Sequence, residues 1–427
     1  MTKRFLAAGA AALLAAAPGA AQTIAIVGGT VHPISGPPIR NGTVIIQNGR
    51  IAAVGAGIAI PAGAQRIDAT GKVVTPGLIE SSTNMALVEV DQVGTTNDYR
   101  FQDEDQVAAA FNVSDGINPR SMVIPVTRIA GVTTVVSRPA GGLISGQGLA
   151  FDLIGDHIDE MSIRNPIAMF GSVSENEQEA AGGGTRGGLF MRLREVLEDA
   201  RVWARNPQAF ERGETRDFSV SRLDLAALQP VLRGEMQLVV EAHRASDIQT
   251  VLRIADEYDL RVVIAGGTEG WMVADDLARA RVPVLVKVLR NLPESFESLG
   301  ARYDNAALLR RAGVQVAITT GETFKAYNIR QEAGNAVAYG LPYDEALRAV
   351  TLYPAQIYGL ADRYGSLEVG KVANVVVWDG DPLELLTTVE HVFIRGRAVP
   401  MVSRETMLRD RYMNLDETRR TYATPQP

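Results

Sequence analysis

One apolar segment of the chain ends in a short polar run: Val74-Thr75-Pro76-Gly77-Leu78-Ile79-Glu80-Ser81-Ser82-Thr83-Asn84. The apolar residues predict a buried strand over Val73–Leu78. In an α/β barrel the working residues follow the carboxyl ends of the strands. We therefore expect Ser82 and Asn84 to line a binding site if this strand belongs to a barrel.

The strand is the first of several apolar runs that alternate with helical periodicity. The strand candidates are Val73–Leu78, Thr133–Val136, Ile167–Phe170, Leu238–Ala242, Arg261–Ala265, Val284–Val286 and Val314–Thr319. Helical periodicity is clearest in Leu189–Trp203, Ala245–Tyr258 and Tyr343–Leu352. Strands that alternate with helices predict parallel βαβ units. The middle of the chain is therefore an α/β domain with seven strands that can be counted directly.

Both ends of the chain are rich in β-strand signals instead. Thr23–Val27 and Gly42–Val54 are the N-terminal segments, and Asn48-Gly49 within the second is a strong two-residue hairpin signal. Ala373–Asp379 and Val389–Val399 are the C-terminal segments, with the predicted turn at Arg395-Gly396-Arg397.

A second motif lies near the C-terminus: Gly365-Ser366-Leu367-Glu368-Val369-Gly370-Lys371-Val372-Ala373-Asn374-Val375-Val376-Val377. Together with Thr75-Pro76-Gly77-Leu78-Ile79 it resembles the amidohydrolase superfamily, in the imidazolonepropionase-like branch. The resemblance implies a TIM-type (β/α)8 barrel, which supplies the eighth strand, and a small β-sandwich domain built from both chain ends. The implied domains are a signal peptide over 1–21, a composite β-sandwich over 22–74 and 366–403, the barrel over 75–365, and a C-terminal helix and tail over 404–427.

The resemblance also implies where metal ligands would stand. The family places a His-x-His pair after the first strand, where this chain has Ser82 and Asn84. It places histidines after strands 5 and 6 and an aspartate after strand 8, where this chain has Glu241-Ala242-His243, Gly266 and Gly321. A catalytic zinc site needs three protein ligands and a water. We therefore predict no metal ligands and no cofactor, or at most one weakly bound divalent metal such as zinc.

The remaining polar residues at the strand ends are the candidates for chemistry. We assign His243, Glu241 and Glu322 as residual acid–base groups. The candidates for substrate binding are Ser82, Asn84, Arg138, Arg244, Glu269, Lys287 and Asn328. The basic members could hold an anionic substrate. Two other interpretations stay open: His243 as a hydrogen-bonded structural residue, and the basic residues as long side chains that extend along loops.

Composition and the N-terminus limit the partners and the compartment. The 427-residue chain has a net charge of −7 and no cysteine, which argues against a nucleic-acid surface and excludes disulfides and thiolate metal sites. Lys3 and Arg4 precede the apolar run Phe5–Ala17, and small residues precede Gln22. This pattern predicts a signal peptide and a periplasmic or secreted protein, with no membrane association. The run is shorter than the ~20 residues of a membrane-spanning helix.

Two functions remain open at this point. The resemblance implies a hydrolase acting on non-peptide or dipeptide-like C–N bonds, with a small-molecule substrate. The loss of ligands at several strand ends favours a catalytically inactive ligand-binding protein, or a partner subunit of an active amidohydrolase. The oligomeric state stays open between a homo-oligomer and a hetero-oligomer with an active paralogue.

Overall fold

A computed structural model describes residues 23–101, 106–208, 212–214, 216–290 and 292–413. The predicted signal peptide and the chain from residue 414 onward lie outside the described residues. The strands are β1 (Ile24–Val31), β2 (Ile39–Gln47), β3 (Arg50–Ala56), β4 (Gln65–Asp68), β5 (Val73–Pro76), β6 (Leu78–Thr83), β7 (Val132–Ser137), β8 (Gly146–Gln147), β9 (Leu149–Asp152), β10 (Ser162–Arg164), β11 (Met169–Ser172), β12 (Leu238–Ala242), β13 (Val262–Gly266), β14 (Val284–Val286), β15 (Val316–Ile318), β16 (Val375–Trp378), β17 (Val389–Ile394) and β18 (Arg397–Ala398).

The described helices connect these strands or cover them. They are α1 (Val123–Arg128), α2 (Ile158–Met161), α3 (Glu175–Ala180), α4 (Arg186–Arg205), α5 (Arg222–Ala227), α6 (Gln229–Leu232), α7 (Ala245–Tyr258), α8 (Ala274–Ala280), α9 (Asn305–Arg311), α10 (Ile329–Ala338), α11 (Tyr343–Ala349), α12 (Leu352–Ile357) and α13 (Arg404–Met413). Helix α7 has the bounds that the apolar periodicity of Ala245–Tyr258 predicts. Across the described part of the chain, no helix combines the length and apolarity required to cross a bilayer.

One eight-stranded sheet joins the two ends of the chain. Its order is β18-β17-β16-β5-β1-β2-β3, with β4 beside β1. The predicted hairpin turn at Asn48-Gly49 is confirmed, because β2 and β3 pair antiparallel on either side of it. Both turn residues have the positive φ that such a tight turn requires, 52° and 75°. This composite sheet has its own apolar core, in which β16 of the C-terminal segment packs with strands of the N-terminal one.

Gly77 divides the first predicted barrel strand into two. The prediction of one strand over Val73–Leu78 is wrong, because β5 pairs within the composite sheet and β6 pairs with β7 in the barrel. A Cβ at position 77 would overlap the side chain of Thr133. Only glycine lets the backbone pass this close to a neighbouring strand. The chain changes from one sheet to the other at this residue.

The remaining long strands form the barrel. β6 and β7 are parallel neighbours, and β11 to β15 form a consecutive parallel series. Between the two groups lie β8 and β9, which run antiparallel to β11 and β7 respectively. This broken antiparallel segment takes the eighth position that the sequence does not reveal. The molecule therefore has the predicted α/β architecture, a TIM-type barrel with an additional β domain.

Candidate functional site

The parallel register brings the polar residues after five barrel strands to the same end of the barrel. Glu241 of β12 is paired with Ala265 of β13, and Val286 of β14 with Ile318 of β15. Lys287 follows β14 directly, and Thr319 follows β15. The carboxyl ends of parallel strands form the active face of a barrel, so this end is the candidate site.

Arg138 connects the ends of β6 and β12. Its Nε donates a hydrogen bond to Ser82 Oγ over 2.6 Å, and its Nη2 lies 3.8 Å from Glu241 Oε2. Asn84 Nδ2 donates to the backbone carbonyl of Arg138 over 2.7 Å. The structure thus brings together Ser82, Asn84, Arg138 and Glu241. The guanidinium stands beside the two positions at which the resembled family has its first pair of histidines.

His243 and Glu241 form a second pair at the end of β12. His243 Nε2 lies 3.4 Å from Glu241 Oε1, and Nδ1 lies 2.8 Å from Thr268 Oγ1. Burial disfavours the charged form of both side chains, but the contact between them favours the charged forms more strongly. The hydrogen bond from His243, with Arg138 and Lys287 nearby, holds the pKa of Glu241 well below its usual range. Burial alone would lower the pKa of His243, and the Glu241 carboxylate raises it instead. The stable pair is therefore imidazolium and carboxylate.

Two glycines make room for the cationic side chains. A Cβ at Gly266 would overlap the His243 ring and stand 2.8 Å from Nδ1. A Cβ at Gly321 would overlap Lys287 Cε and stand 2.5 Å from Nζ. Both glycines have positive φ, 84° and 62°. At these two positions, where the resembled family has a histidine and an aspartate, His243 and Lys287 occupy the space that a ligand side chain would need.

We call Arg138, Glu241, His243 and Lys287 the mouth cluster. Burial lowers the pKa of Lys287, and the positive charges of Arg138 and Arg290 add to this effect against the attraction of Glu241. Within the ranges that the structure describes, no three His, Cys, Asp or Glu side chains are grouped so as to hold a metal ion. The two possible donors in the mouth cluster already contact each other, and two cations flank them. This donor set does not fit a divalent metal.

The other predicted site residues lie around this cluster in different roles. Glu322 forms an ion pair with Arg290, with Oε1 3.2 Å from Nη2. Glu269 accepts hydrogen bonds from the backbone N–H groups of Ala245 and Gly300, at 3.0 and 2.9 Å, so its carboxylate fastens two loops.

Arg244 and Asn328 are not brought into the mouth cluster by any contact of the described residues. Arg244 is exposed and lines an open cavity of about 780 Å³ with Glu269, Arg186 and Glu175. Asn328 is half-buried at the end of a 3-10 turn, Ala326–Asn328. The cavity at Arg244 adjoins the strand ends through Glu269.

Glu80 is a charged residue of this region that the sequence analysis does not single out. It is fully buried. It accepts hydrogen bonds from Thr320 N, Thr320 Oγ1 and Ser82 N at 2.8–3.1 Å, and from Thr319 Oγ1. Burial raises its pKa to about 7, although these donors favour the charged form. Glu80 joins the first and last barrel strands, and only its place beside Ser82 in the polar run could have pointed to it.

Comparisons with known proteins agree with this architecture. The profile described as "Amidohydrolase family" matches residues 240–399. The amidohydrolase tasK of Hapsidospora irregularis is 24% identical over 84% of this chain, which spans 40% of that protein. The imidazolonepropionase of Geobacillus sp. (strain WCH70) is 24% identical over 84% of this chain and 90% of its own length.

A solved structure also matches most of the chain. The amidohydrolase from Thermotoga maritima MSB8 superposes with a TM-score of 0.81 at 29% identity, over 88% of this chain and 99% of that one. The barrel and the composite sheet together are the architecture of an amidohydrolase-type protein. These matches support the amidohydrolase superfamily, in its imidazolonepropionase-like branch, as the family of this chain.

Proposed function

We propose that this chain is an exported amidohydrolase-family protein that binds a small anionic molecule at the barrel mouth without a catalytic metal. The observation that carries the proposal is the contact of Lys287 with Gly321. The Lys287 side chain fills the space in which the resembled family has a metal-binding aspartate. The site therefore has a positive charge from the lysine and lacks the carboxylate that would bind a metal. Export rests on the N-terminal sequence, Lys3 to Gln22.

The balance of charge supports an anionic ligand. Glu241 is shared by Arg138 and His243, and Glu322 is paired with Arg290. Within the described residues, Lys287 makes no hydrogen bond and no ion pair, and only the more distant charges of Glu241 and Glu322 attract it. Arg138 also uses only part of its hydrogen-bonding capacity, on Ser82 Oγ and the carbonyl of Pro139. A carboxylate is the ligand that such a pair of cations recognises best.

Metal analysis combined with ligand binding tests the proposal. We expect less than about a tenth of an equivalent of zinc, iron or manganese in protein purified without chelator. Binding of small carboxylates, measured by calorimetry, should be unchanged by EDTA and weakened about tenfold or more by Arg138→Gln. Lys325→Gln, a change at an exposed lysine, is the matched control. About one equivalent of metal, with binding that EDTA abolishes and zinc restores, contradicts the proposal.

Hydrolysis of a C–N bond without a metal is the second candidate. The observation that favours it is the His243–Glu241 pair, which has the hydrogen bonding of an acid–base dyad. Turnover of non-peptide amides or dipeptides, insensitive to EDTA and abolished by His243→Asn, would establish it in place of the first. No turnover, with ligand binding retained, leaves the binding function. Association with a second copy or with an active amidohydrolase stays a prediction for size-exclusion chromatography with light scattering.

A further inference from the structure

Lys287 differs from the other lysines of the described chain. Lys72 forms an ion pair with Glu390, Lys371 with Glu368, and Lys325 is exposed on a loop. Lys287 is only partly exposed and points across Gly321 at the end of β14. Among the described residues its amine has neither a hydrogen bond nor an ion pair. It is therefore an inward-facing amine left free to react.

The surroundings of this amine make it easier for the ammonium to lose a proton, which it must do before the nitrogen can attack a carbonyl carbon. Burial costs the ammonium its solvation, and the guanidinium groups of Arg138 and Arg290 repel it. A lysine that is desolvated and placed beside other cations is the usual arrangement for imine formation. Arg138 Nη2 lies 3.8 Å from Glu241 Oε2, and the guanidinium has donors to spare for a carboxylate. The free amine and this guanidinium face the same barrel mouth.

We propose that the Lys287 amine condenses with the carbonyl group of a small oxo acid and holds it as a protonated imine, with Arg138 binding the carboxylate. This inference rests on the proposed anion-binding function and names its ligand class. An oxo acid is the simplest molecule that offers a carbonyl carbon to the amine and a carboxylate to the guanidinium.

The condensation needs no oxidant or reductant. The amine nitrogen bonds to the carbonyl carbon, the carbonyl oxygen takes up a proton, and the nitrogen loses one, which gives a carbinolamine. The C–O bond then breaks, the oxygen leaves as water with a second proton, and the nitrogen lone pair forms the C=N bond. We assign His243 as the donor of the second proton, because its ring lies at the same barrel mouth and contacts the Glu241 carboxylate.

Reductive trapping tests the inference directly. The purified full chain is incubated with pyruvate and sodium cyanoborohydride, which transfers hydride to a protonated imine and fixes it as a secondary amine. Intact-mass spectrometry followed by peptide mapping should find one adduct, on Lys287. Lys325→Met should give the same adduct. Lys287→Met should lose it, and so should Lys287→Arg, which keeps the positive charge and guards against a folding defect.

Binding measurements without the reductant distinguish the imine at Lys287 from the anion site at the barrel mouth. Lactate carries the carboxylate but no carbonyl group, so it should bind more weakly than pyruvate. If the two bind equally and no adduct forms, the imine is overturned and the anion site stands. If neither binds, the proposed function itself fails. Adducts spread equally over Lys325, the N-terminal amine and Lys287 would show unselective chemistry and overturn the imine.

Discussion

Two clusters of charged side chains in this molecule differ in how completely their charges are paired. The first, which we call the junction cluster, consists of Asp152, Tyr364, Asn374 and Arg395, between the barrel and the composite sheet. Asp152 accepts hydrogen bonds from Thr134, Asn374, Tyr364 and Arg395 at 2.6–3.0 Å. The second is the mouth cluster, in which Lys287 has no hydrogen bond or ion pair with any described residue.

The difference shows what each cluster does. Every lone pair of the Asp152 carboxylate faces a donor from another element, so the junction cluster fastens β9, β16 and the β17–β18 turn together. A buried charge without a partner costs stability, and the fold keeps one only where something else requires it. Because the amine of Lys287 has no partner among the described residues, we propose that the mouth is the functional region and the junction the structural one.

The largest expected effect comes from removing the centre of the junction cluster. Asp152→Ala leaves the Arg395 guanidinium and three neutral donors without their acceptor. We expect the free energy of unfolding to fall by about 3–5 kcal/mol, measured by urea titration followed by circular dichroism. Asp410→Ala is the matched control, because its ion pair with Arg409 is exposed, and should cost less than about 0.5 kcal/mol. Equal effects of the two changes would refute the structural role.

The next largest expected effect is the pH dependence that Glu80 gives to the free energy of unfolding. Its pKa is raised from 4.5 to about 7 in the folded state, so the folded protein binds more protons than the unfolded one between these values. The stabilisation is complete below about pH 4.5 and is lost as the pH rises through about 7. The contribution amounts to about 3 kcal/mol.

Urea titrations between pH 4.5 and 8 check this dependence. Glu80→Gln should remove this fall in unfolding free energy, since a glutamine does not titrate. Glu195→Gln, on the exposed face of α4, should keep the slope of the unaltered protein. A slope that survives in Glu80→Gln would assign the titration to another group.

A strand or helix of this fold could be predicted from the sequence when its bounds depend on residues within the same short segment. The bounds of Leu238–Ala242, Val284–Val286 and helix α7 follow from apolar runs and helical periodicity, which are properties of short segments. The Gly77 division was missed because it depends on Thr133, on a neighbouring strand. β8 and β9 were missed because Gly146 and Gly148 interrupt the apolar pattern.

The candidate site divides in the same way. The strand ends that carry Ser82, Arg138, Glu241 and His243 could be located from the motifs, and the structure brings these side chains together. Two features depend on contacts between distant strands: the fit of Lys287 against Gly321, and the burial of Glu80 under Thr319 and Thr320. A single sequence contains no local pattern for either of them.

An aspartate at position 321, where the resembled family has one, should have a smaller effect on the free energy of unfolding. Gly321→Asp places a side chain where Lys287 already lies, at a backbone φ of 62°. We expect a loss of about 2 kcal/mol in unfolding free energy and no gain in bound zinc. Lys287→Ala in the same chain should recover part of that loss. Tight zinc binding by Gly321→Asp alone would mean that the mouth still fits a metal.

The smallest expected effect on stability comes from a change at Lys287, and it distinguishes the mouth cluster from the junction cluster most clearly. Lys287→Met removes a partly buried cation that has no hydrogen bond or ion pair among the described residues, and it keeps an unbranched apolar chain against Gly321. The free energy of unfolding should change by less than about 1 kcal/mol, or rise. Binding of a small carboxylate should weaken about tenfold. The Asp152→Ala chain should lose stability instead, with ligand affinity unchanged at temperatures where it remains folded. A loss of several kcal/mol in Lys287→Met would make the mouth cluster a structural feature like the junction cluster.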